Sequence, residues 1–327
     1  MPHCLVRGSI NVDEYYYVSH ISRPGETISS HGFQQRMGGK GFNQAVALAL
    51  ATGGGDQGKV SFYGTVGDDD AGKGLRERLV SEWGLKNDFL FLDNEKATGR
   101  AIIQVADDGE NSIVLFPGAN HSEIIEVQDK LWPSETTHVL LQNEINLNST
   151  LRAIEFAEKL VTIFNPSPML HKDEIVGFPW NKIDWLIVNQ LEARLLLASL
   201  DPSQDVQDEE DVRNVLQNLV NQPAFSKTRI VCTLGAGGVY AIGNGLSLAF
   251  APAARLEGPV VDTTGAGDTF AGYFIGELMS FEGREIRELD VVRLLRVATR
   301  AAAMCVERAG TVDSMPKREE VERRFGV

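Results

Sequence analysis

The 327-residue sequence has few cysteines, no histidine cluster, no long apolar run and no surplus of positive charge. Cys4, Cys232 and Cys305 are far apart and odd in number, and none belongs to a Cys-x-x-Cys pair. That spacing argues against a disulfide framework and a zinc site and suits a reducing compartment. The six histidines are equally scattered, so no transition-metal centre is expected. A net charge of −14 leaves no basic surface for a phosphate backbone, which removes nucleic acid as the expected partner. The same charge means that an anionic substrate must be held by local dipoles, a few cations or a metal. No stretch reaches the roughly 20 apolar residues of a membrane span, and Met1 to Val12 has no leader-like run. A soluble intracellular protein with no membrane partner is expected. Internal repeats are missing too, and the glycine-rich loop 52–58 is the one biased segment.

What is present is an ordinary globular composition, 43% apolar and 23% charged, enough for a sizeable core. The length allows two domains or one large α/β unit, and no linker reads as a boundary, so one domain over 1–327 is expected. Val139–Leu141, Val161–Phe164, Trp185–Val188, Ile230–Cys232 and Val260-Val261 are short apolar runs, and helix-like segments near 150–160, 190–200 and 210–220 separate most of them. Buried strands alternating with helices predict a mostly parallel sheet covered on both faces. Asp108-Gly109 between two apolar runs predicts a β-hairpin, part of a small β appendage over roughly 12–37 and 97–117. The acidic run 205–211 reads as a solvated loop and helix start. The Tyr15–Tyr17 triplet reads as ordinary strand packing.

The stretch from Val260 to Gly272 organises the rest. An apolar pair enters a Gly265-Ala266-Gly267 turn, and a helix follows in which Phe270, Phe274, Leu278 and Phe281 form a buried stripe. Ala271, Gly272 and Gly276 would let that helix approach its neighbours closely. A strand-to-helix turn with free amides at a positive dipole end is an anion site. Asp268 beside it would repel a phosphate unless it took a proton from an alcohol attacking that phosphate. The bland alternative is that Asp268 merely complements the helix dipole.

Other polar residues also follow apolar runs, at the edge where open α/β sheets bind ligands. Asn11 and Asp13 follow the first run; with Gly39, Lys40 and Asn43 they look like donors and acceptors for a polyhydroxyl ligand. Gly38-Gly39-Lys40-Gly41 resembles a phosphate loop, but no Ser or Thr follows the lysine, so it is not a Walker A. Asn143 and Glu144 follow Val139–Leu141. Asn189 and Glu192 follow Trp185–Val188 and either open a helix or face hydrated Mg²⁺. Thr233-Leu234-Gly235-Ala236-Gly237-Gly238 is a second glycine-rich strand exit, able to lie against a nucleotide or simply to turn.

With these motifs in this order, the sequence resembles the ribokinase/PfkB carbohydrate kinases over nearly its whole length. The resemblance runs from Gly8–Asp13 through Gly38–Ala45, Pro117–Asn120, Gln142–Glu144, Asn165–Pro168, Asn189–Glu192 and Asp262–Phe270 to Glu307–Gly310. It implies a three-layer α/β/α sandwich with a small β-sheet lid that also pairs two subunits. Asp268 matches the catalytic base, and Gly265, Ala266 and Gly267 the anion hole. Asn11, Asp13, Gly39, Lys40, Asn43 and Glu144 match the sugar contacts. Asn189, Glu192 and Thr233–Gly238 match the ATP and Mg²⁺ region. Asp262, Thr264, Cys305, Arg308, Gly310 and Ser314 match a K⁺ site in which Cys305, unusual there, would act through its carbonyl. Loop 52–58 is longer than the family norm. The implied reaction is ATP-dependent phosphorylation of ribose at its primary hydroxyl, in the cytoplasm, with the nucleus a second expected compartment. The alternatives are a sibling kinase for fructose, a sugar phosphate or a nucleoside, or a non-catalytic sugar sensor. No extra basic residue is evident near the sugar motifs, which argues against a phosphorylated acceptor.

Overall fold

The computed structural model describes residues 2–54, 58–123, 132–203, 211–281 and 286–326. Its strands are β1 (Cys4–Arg7), β2 (Asn11–Val18), β3 (Gly32–Gly38), β4 (Val60–Gly67), β5 (Leu90–Asp93), β6 (Arg100–Ala106), β7 (Asn111–Phe116), β8 (His138–Gln142), β9 (Val161–Asn165), β10 (Trp185–Asn189), β11 (Arg229–Thr233), β12 (Val239–Gly243) and β13 (Leu246–Ala251). The helices are α1 (Lys40–Ala51), α2 (Asp70–Trp83), α3 (Leu147–Phe156), α4 (Lys172–Gly177), α5 (Gln190–Leu200), α6 (Val212–Val220), α7 (Ala266–Met279), α8 (Glu288–Val306) and α9 (Arg318–Phe325).

Nine strands form one sheet in the order β13-β12-β11-β10-β9-β8-β1-β4-β5. Pairing from β11 to β5 is parallel, and β12 and β13 are antiparallel additions. Strands β1 and β4 are buried along their whole length, as a sheet covered on both faces requires. One core, including Val6, Leu48, Phe274 and Leu294, packs α1, α7 and α8 on one face. The other, including Leu141, Trp180, Leu196 and Leu216, packs α3 to α6 on the opposite face. Strand order turns back at β1, which pairs with β4 on one side and β8 on the other. The crevice beyond such a reversal is where doubly wound sheets hold ligands. Residues 8–11 and 143–144 therefore meet there.

A second sheet, β3-β2-β6-β7, forms the expected appendage. Its β6–β7 hairpin closes on Gly109 at φ +90°, with the Gly109 amide donating to Ala106 O at 3.0 Å.

Three expectations change. Val260 and Val261 are not a strand; both lie in an irregular segment, more than half exposed, with the Val261 amide donating to Val306 O at the end of α8. The bond to the end of α8 takes the Val261 amide out of any ladder. Second, α7 is buried nearly all round, not along one stripe, because α1 and α8 sandwich it. A Cβ on Gly272 would lie 2.4 Å from Ala47 Cβ, and one on Gly276 2.9 Å from Ala51 Cβ, so these glycines set the α1–α7 spacing. Phe281 falls just past the end of α7. Of the acidic run, 205–210 lie outside the described residues, and Asp211 caps α6 through the Arg213 amide. Residues 55–57 of the glycine-rich loop also lie outside them.

Candidate active site

The residues Gly38–Asn43 leave β3 and open α1. Gly39 caps the helix at φ +92°, a conformation that glycine takes without steric cost. The Asp13 carboxylate lies against Gly38, where a Cβ would fall 1.9 Å from its Oδ2. Glu144, following β8, fastens this loop with one oxygen: its Oε2 accepts the Lys40 amide at 2.8 Å and the Ser9 hydroxyl at 2.6 Å. The Phe42 amide donates to Ser9 O. Glu144 is thus an anchor as well as a cavity residue.

Gly265, at φ +80°, caps α7. The Ala266 amide turns back to Thr263 O at 3.3 Å, while Gly267 and Asp268 lie in the first turn, where amides lack intrahelical acceptors. Asp268 is buried. Its Oδ2 accepts from Asn43 Nδ2 at 3.1 Å and its Oδ1 from Gln44 Nε2 at 2.9 Å. The start of α1 therefore grips the start of α7.

Two cavities converge at that point. A polar one of about 710 Å³ is walled by Asn11, Asp13, Lys40, Asn43, Glu144 and Asp268, and roofed by Ala101, Ile103 and Ile113 of the small sheet. An apolar one of about 470 Å³ lies between Gly235, Ala236, Gly238, Val260, Ala302 and Val306. Thr233, Thr263 and Gly267 border both. The exposed Val260 is thereby explained as cavity lining.

Burial, with the nearby Glu144 charge, pushes the Asp13 carboxyl up to about 7. Asp13 Oδ1 and Asn43 Oδ1 are buried without a protein partner, so both can accept a hydrogen bond from a group in the cavity. Burial alone would lower the Lys40 ammonium, but Asp268, Glu144 and Glu192 outweigh it and hold it above its ordinary value. A protonated lysine among three carboxylates offsets their mutual repulsion.

Asn189 and Glu192 form a reciprocal capping box at α5: Asn189 N–H donates to Glu192 Oε2 and Glu192 N–H to Asn189 Oδ1, each at 2.9 Å. Both also line the polar cavity. Among the described residues, no group of three or more His, Cys, Asp or Glu could hold a metal ion. In the 233–238 turn, Thr233, Gly235, Ala236 and Gly238 face the apolar cavity, whereas Leu234 and Gly237 do not. Those two close the turn, the Leu234 amide donating to Gly238 O and the Gly237 amide to Leu234 O.

The residues expected around K⁺ also come together. Asp262 accepts from the Thr264 amide at 2.9 Å and the Gly310 amide at 3.1 Å. Burial pushes its carboxyl up, but those hydrogen bonds and the Arg36 charge prevail and hold it low. Cys305 Sγ is 3.0 Å from Ser314 Oγ and 3.8 Å from Thr264 O. Burial raises the thiol, so it is inert and neutral. The Arg308 guanidinium pairs with Glu320 at 2.7 Å, while its amide donates to Cys305 O at 3.1 Å.

Comparison with known proteins agrees with this geometry. The sequence pattern of the pfkB family carbohydrate kinases matches residues 1–318. The chain belongs to that family. It is 32% identical to the ribokinase of Haemophilus influenzae over 96% of this chain and 95% of that protein. It is 31% identical to that of Schizosaccharomyces pombe over 100% and 99%. Among solved structures, ribokinase from Cryptococcus neoformans in complex with ADP superposes with a TM-score of 0.86 at 40% identity, over 99% and 100% of the two chains. Arabidopsis thaliana ribokinase complexed with ribose and ATP does so at 0.81 and 28%, over 98% of each.

Sequence reasoning missed three residues at this candidate site. Gln44, fully buried, holds Asp268. Tyr15 lines the cavity; as a two-residue neighbour of Asp13 on one strand it shares its face, a signal the alternation of β2 carried. Arg36 also lines the cavity, opposite Asp13 in the β2–β3 register, so a basic residue does stand near the sugar motifs. Its guanidinium lies over the Tyr15 ring at 5.3 Å and donates to Gln34 Oε1 at 2.9 Å.

Proposed function

We propose that this protein phosphorylates D-ribose at its 5-hydroxyl, converting ATP to ADP, and that it works as one unit over 1–327 with the small sheet as a lid. The observation that carries the reading is the meeting of a polar and an apolar cavity at Gly267, beside a buried carboxylate. Ribose fills the polar side, where Asp13 and Asn43 hold hydroxyls with their unpartnered oxygens. Asn11, Gly39, Lys40 and Glu144 complete that pocket. Adenine occupies the apolar side against Gly235, Ala236 and Gly238. Asp268 takes the proton as the ribose oxygen attacks the γ-phosphorus, and the bond to the ADP oxygen breaks in line. The amides at Gly265–Gly267 stabilise the charge on the transferred phosphoryl oxygens. The apolar lid residues exclude water, the competing nucleophile.

Glu192, which lines the polar cavity, would hold hydrated Mg²⁺ beside the ATP phosphates. Mg²⁺ would neutralise phosphate charge. Oxygens from Asp262, Thr264, Cys305, Arg308, Gly310 and Ser314 fit K⁺, being mostly carbonyls with a single charge among them. K⁺ would fix the amides of the adjacent anion hole and add positive charge there.

The lid also supports a homodimer. Strand β7 is a sheet edge, and Val114 and Phe116 on it are 62% and 50% exposed. Arg36 favours a second reading, a phosphorylated sugar as acceptor. ADP release against ribose, fructose, adenosine and ribose 5-phosphate decides; turnover restricted to the phosphorylated sugar would replace ribose. A cytoplasmic setting fits the buried free cysteines and the lack, among the described residues, of a helix long and apolar enough to cross a membrane; fluorescent tagging tests it and the nuclear alternative.

A further inference from the structure

Four side chains at the floor of the cavity, the buried Gln44, Gln142 and Asp268 and the half-buried Asn165, form a chain with one possible orientation. Asn165 Nδ2 donates to the backbone carbonyl of Ile187 at 2.8 Å. A carbonyl only accepts, so Asn165 must turn Oδ1 the other way. That oxygen accepts from Gln44 Nε2 at 3.0 Å, which fixes Gln44 in turn. The same Nε2 donates its second hydrogen to Asp268 Oδ1 at 2.9 Å. On its far side Gln44 Oε1 accepts from Gln142 Nε2 at 2.8 Å. Gln142 packs against Gly8, where a Cβ would fall 2.1 Å from its Oε1.

We infer that Gln44 is a positioning residue for the base, which turns Asp268 Oδ1 inward as a standing acceptor and leaves Oδ2 to take the proton. Oδ1 faces Gln44, which is fully buried and does not line the cavity. Oδ2 faces Asn43, which does. A carboxylate oxygen has two acceptor positions, so Oδ2 accepts from Asn43 with one and from the ribose hydroxyl with the other. During transfer the O–H bond breaks, its proton passes to Oδ2, and the oxygen's electron pair forms the new bond to phosphorus. A hydrogen bond donated to a charged group favours the charged form, so loss of the Gln44 donor is readable in the pH dependence of turnover.

The inference rests on Asp268 being the base, so wild-type turnover is established first, with whichever acceptor the substrate panel identifies. Gln44→Met keeps the bulk and removes the amide; Gln44→Glu keeps the shape and replaces the donor with an acceptor. Expected for Gln44→Met is a fall in kcat of about 10- to 100-fold with KM values within about threefold, the pattern of a transition-state effect. In both variants the acidic limb of the kcat–pH profile should move to higher pH, further for Gln44→Glu. A merely structural amide would lower the melting temperature and leave that limb in place. Should neither variant fold, Gln142→Met, one link further from Asp268, should move the limb the same way by less. An unmoved limb, or kcat within about twofold of wild type in Gln44→Met, overturns the assignment.

Discussion

The carboxylate of Asp262 accepts the amide of Gly310 at 3.1 Å, although 48 positions separate them in the chain. With its other oxygen it holds the Thr264 amide, so one side chain ties the approach to the Gly265–Gly267 turn to the segment after α8. This clasp is where the monovalent cation is proposed.

If K⁺ sits at that clasp, activity in potassium chloride should exceed that in choline chloride at matched ionic strength, with sodium a poor substitute. K⁺ should also raise the melting temperature of the ATP-free protein, since an ion bound only by the folded state stabilises it. Equal rates and equal melting in all three salts would remove the site.

Asp268→Asn should fold and bind ribose normally while kcat falls about 10²- to 10⁴-fold, the usual worth of a general base. Steady-state kinetics with calorimetric ribose titration checks both halves. Turnover within about threefold of wild type would end the assignment.

Asp13 gives a pH signature. Its folded-state carboxyl is pushed up to about 7 from an ordinary 3.8. Between those values the folded protein holds a proton that the unfolded chain has released. The contribution to stability is therefore full below about pH 4 and is lost as pH rises through about 7. Ligand-free wild type should lose melting temperature from about pH 5 to about pH 8 more steeply than Asp13→Asn. Parallel curves for the two proteins would contradict the raised carboxyl.

Removing one hydroxyl should leave Asp13 or Asn43 unpaired in a buried site. We expect 2-deoxyribose to show a kcat/KM at least about tenfold below that of ribose. Competition between the two sugars in one reaction measures the ratio directly, and a ratio near unity would mean that neither residue reads that edge.

For the lid, Val114→Lys should convert a dimer to a monomer by placing a charge on an apolar edge strand. Sedimentation equilibrium reads the mass. A mass unchanged from wild type would put any self-association elsewhere.

Much of the site was legible because its backbone demands specific residues. Gly39 and Gly265 stand at positive φ, and Asn11, Glu144 and Asp268 follow strand ends or open a helix, where spacing alone places them. Gln44 was not legible: its partner is 224 positions away, and a glutamine inside an Ala- and Leu-rich helix gives no sign of which neighbour it faces. Arg36 was hidden for a related reason, since only the β2–β3 register carries it to the cavity. Val260-Val261 misled because a bare apolar pair suits both a buried strand and the wall of a binding slot.

The contact of α1 with α7 at Gly272 and Gly276 has a consequence for redesign. Both helices bring their amino ends to Asp268, and at the crossing only the Ala47 and Ala51 methyls lie between them. On the proposed binding mode, the reach between acceptor and donor is therefore set by this packed pair of helices. What can be exchanged without altering that reach is the roof: Ala101, Ile103 and Ile113 line the polar cavity and not the apolar one. A library confined to those three positions should shift sugar preference among pentoses and hexoses while leaving ATP use intact.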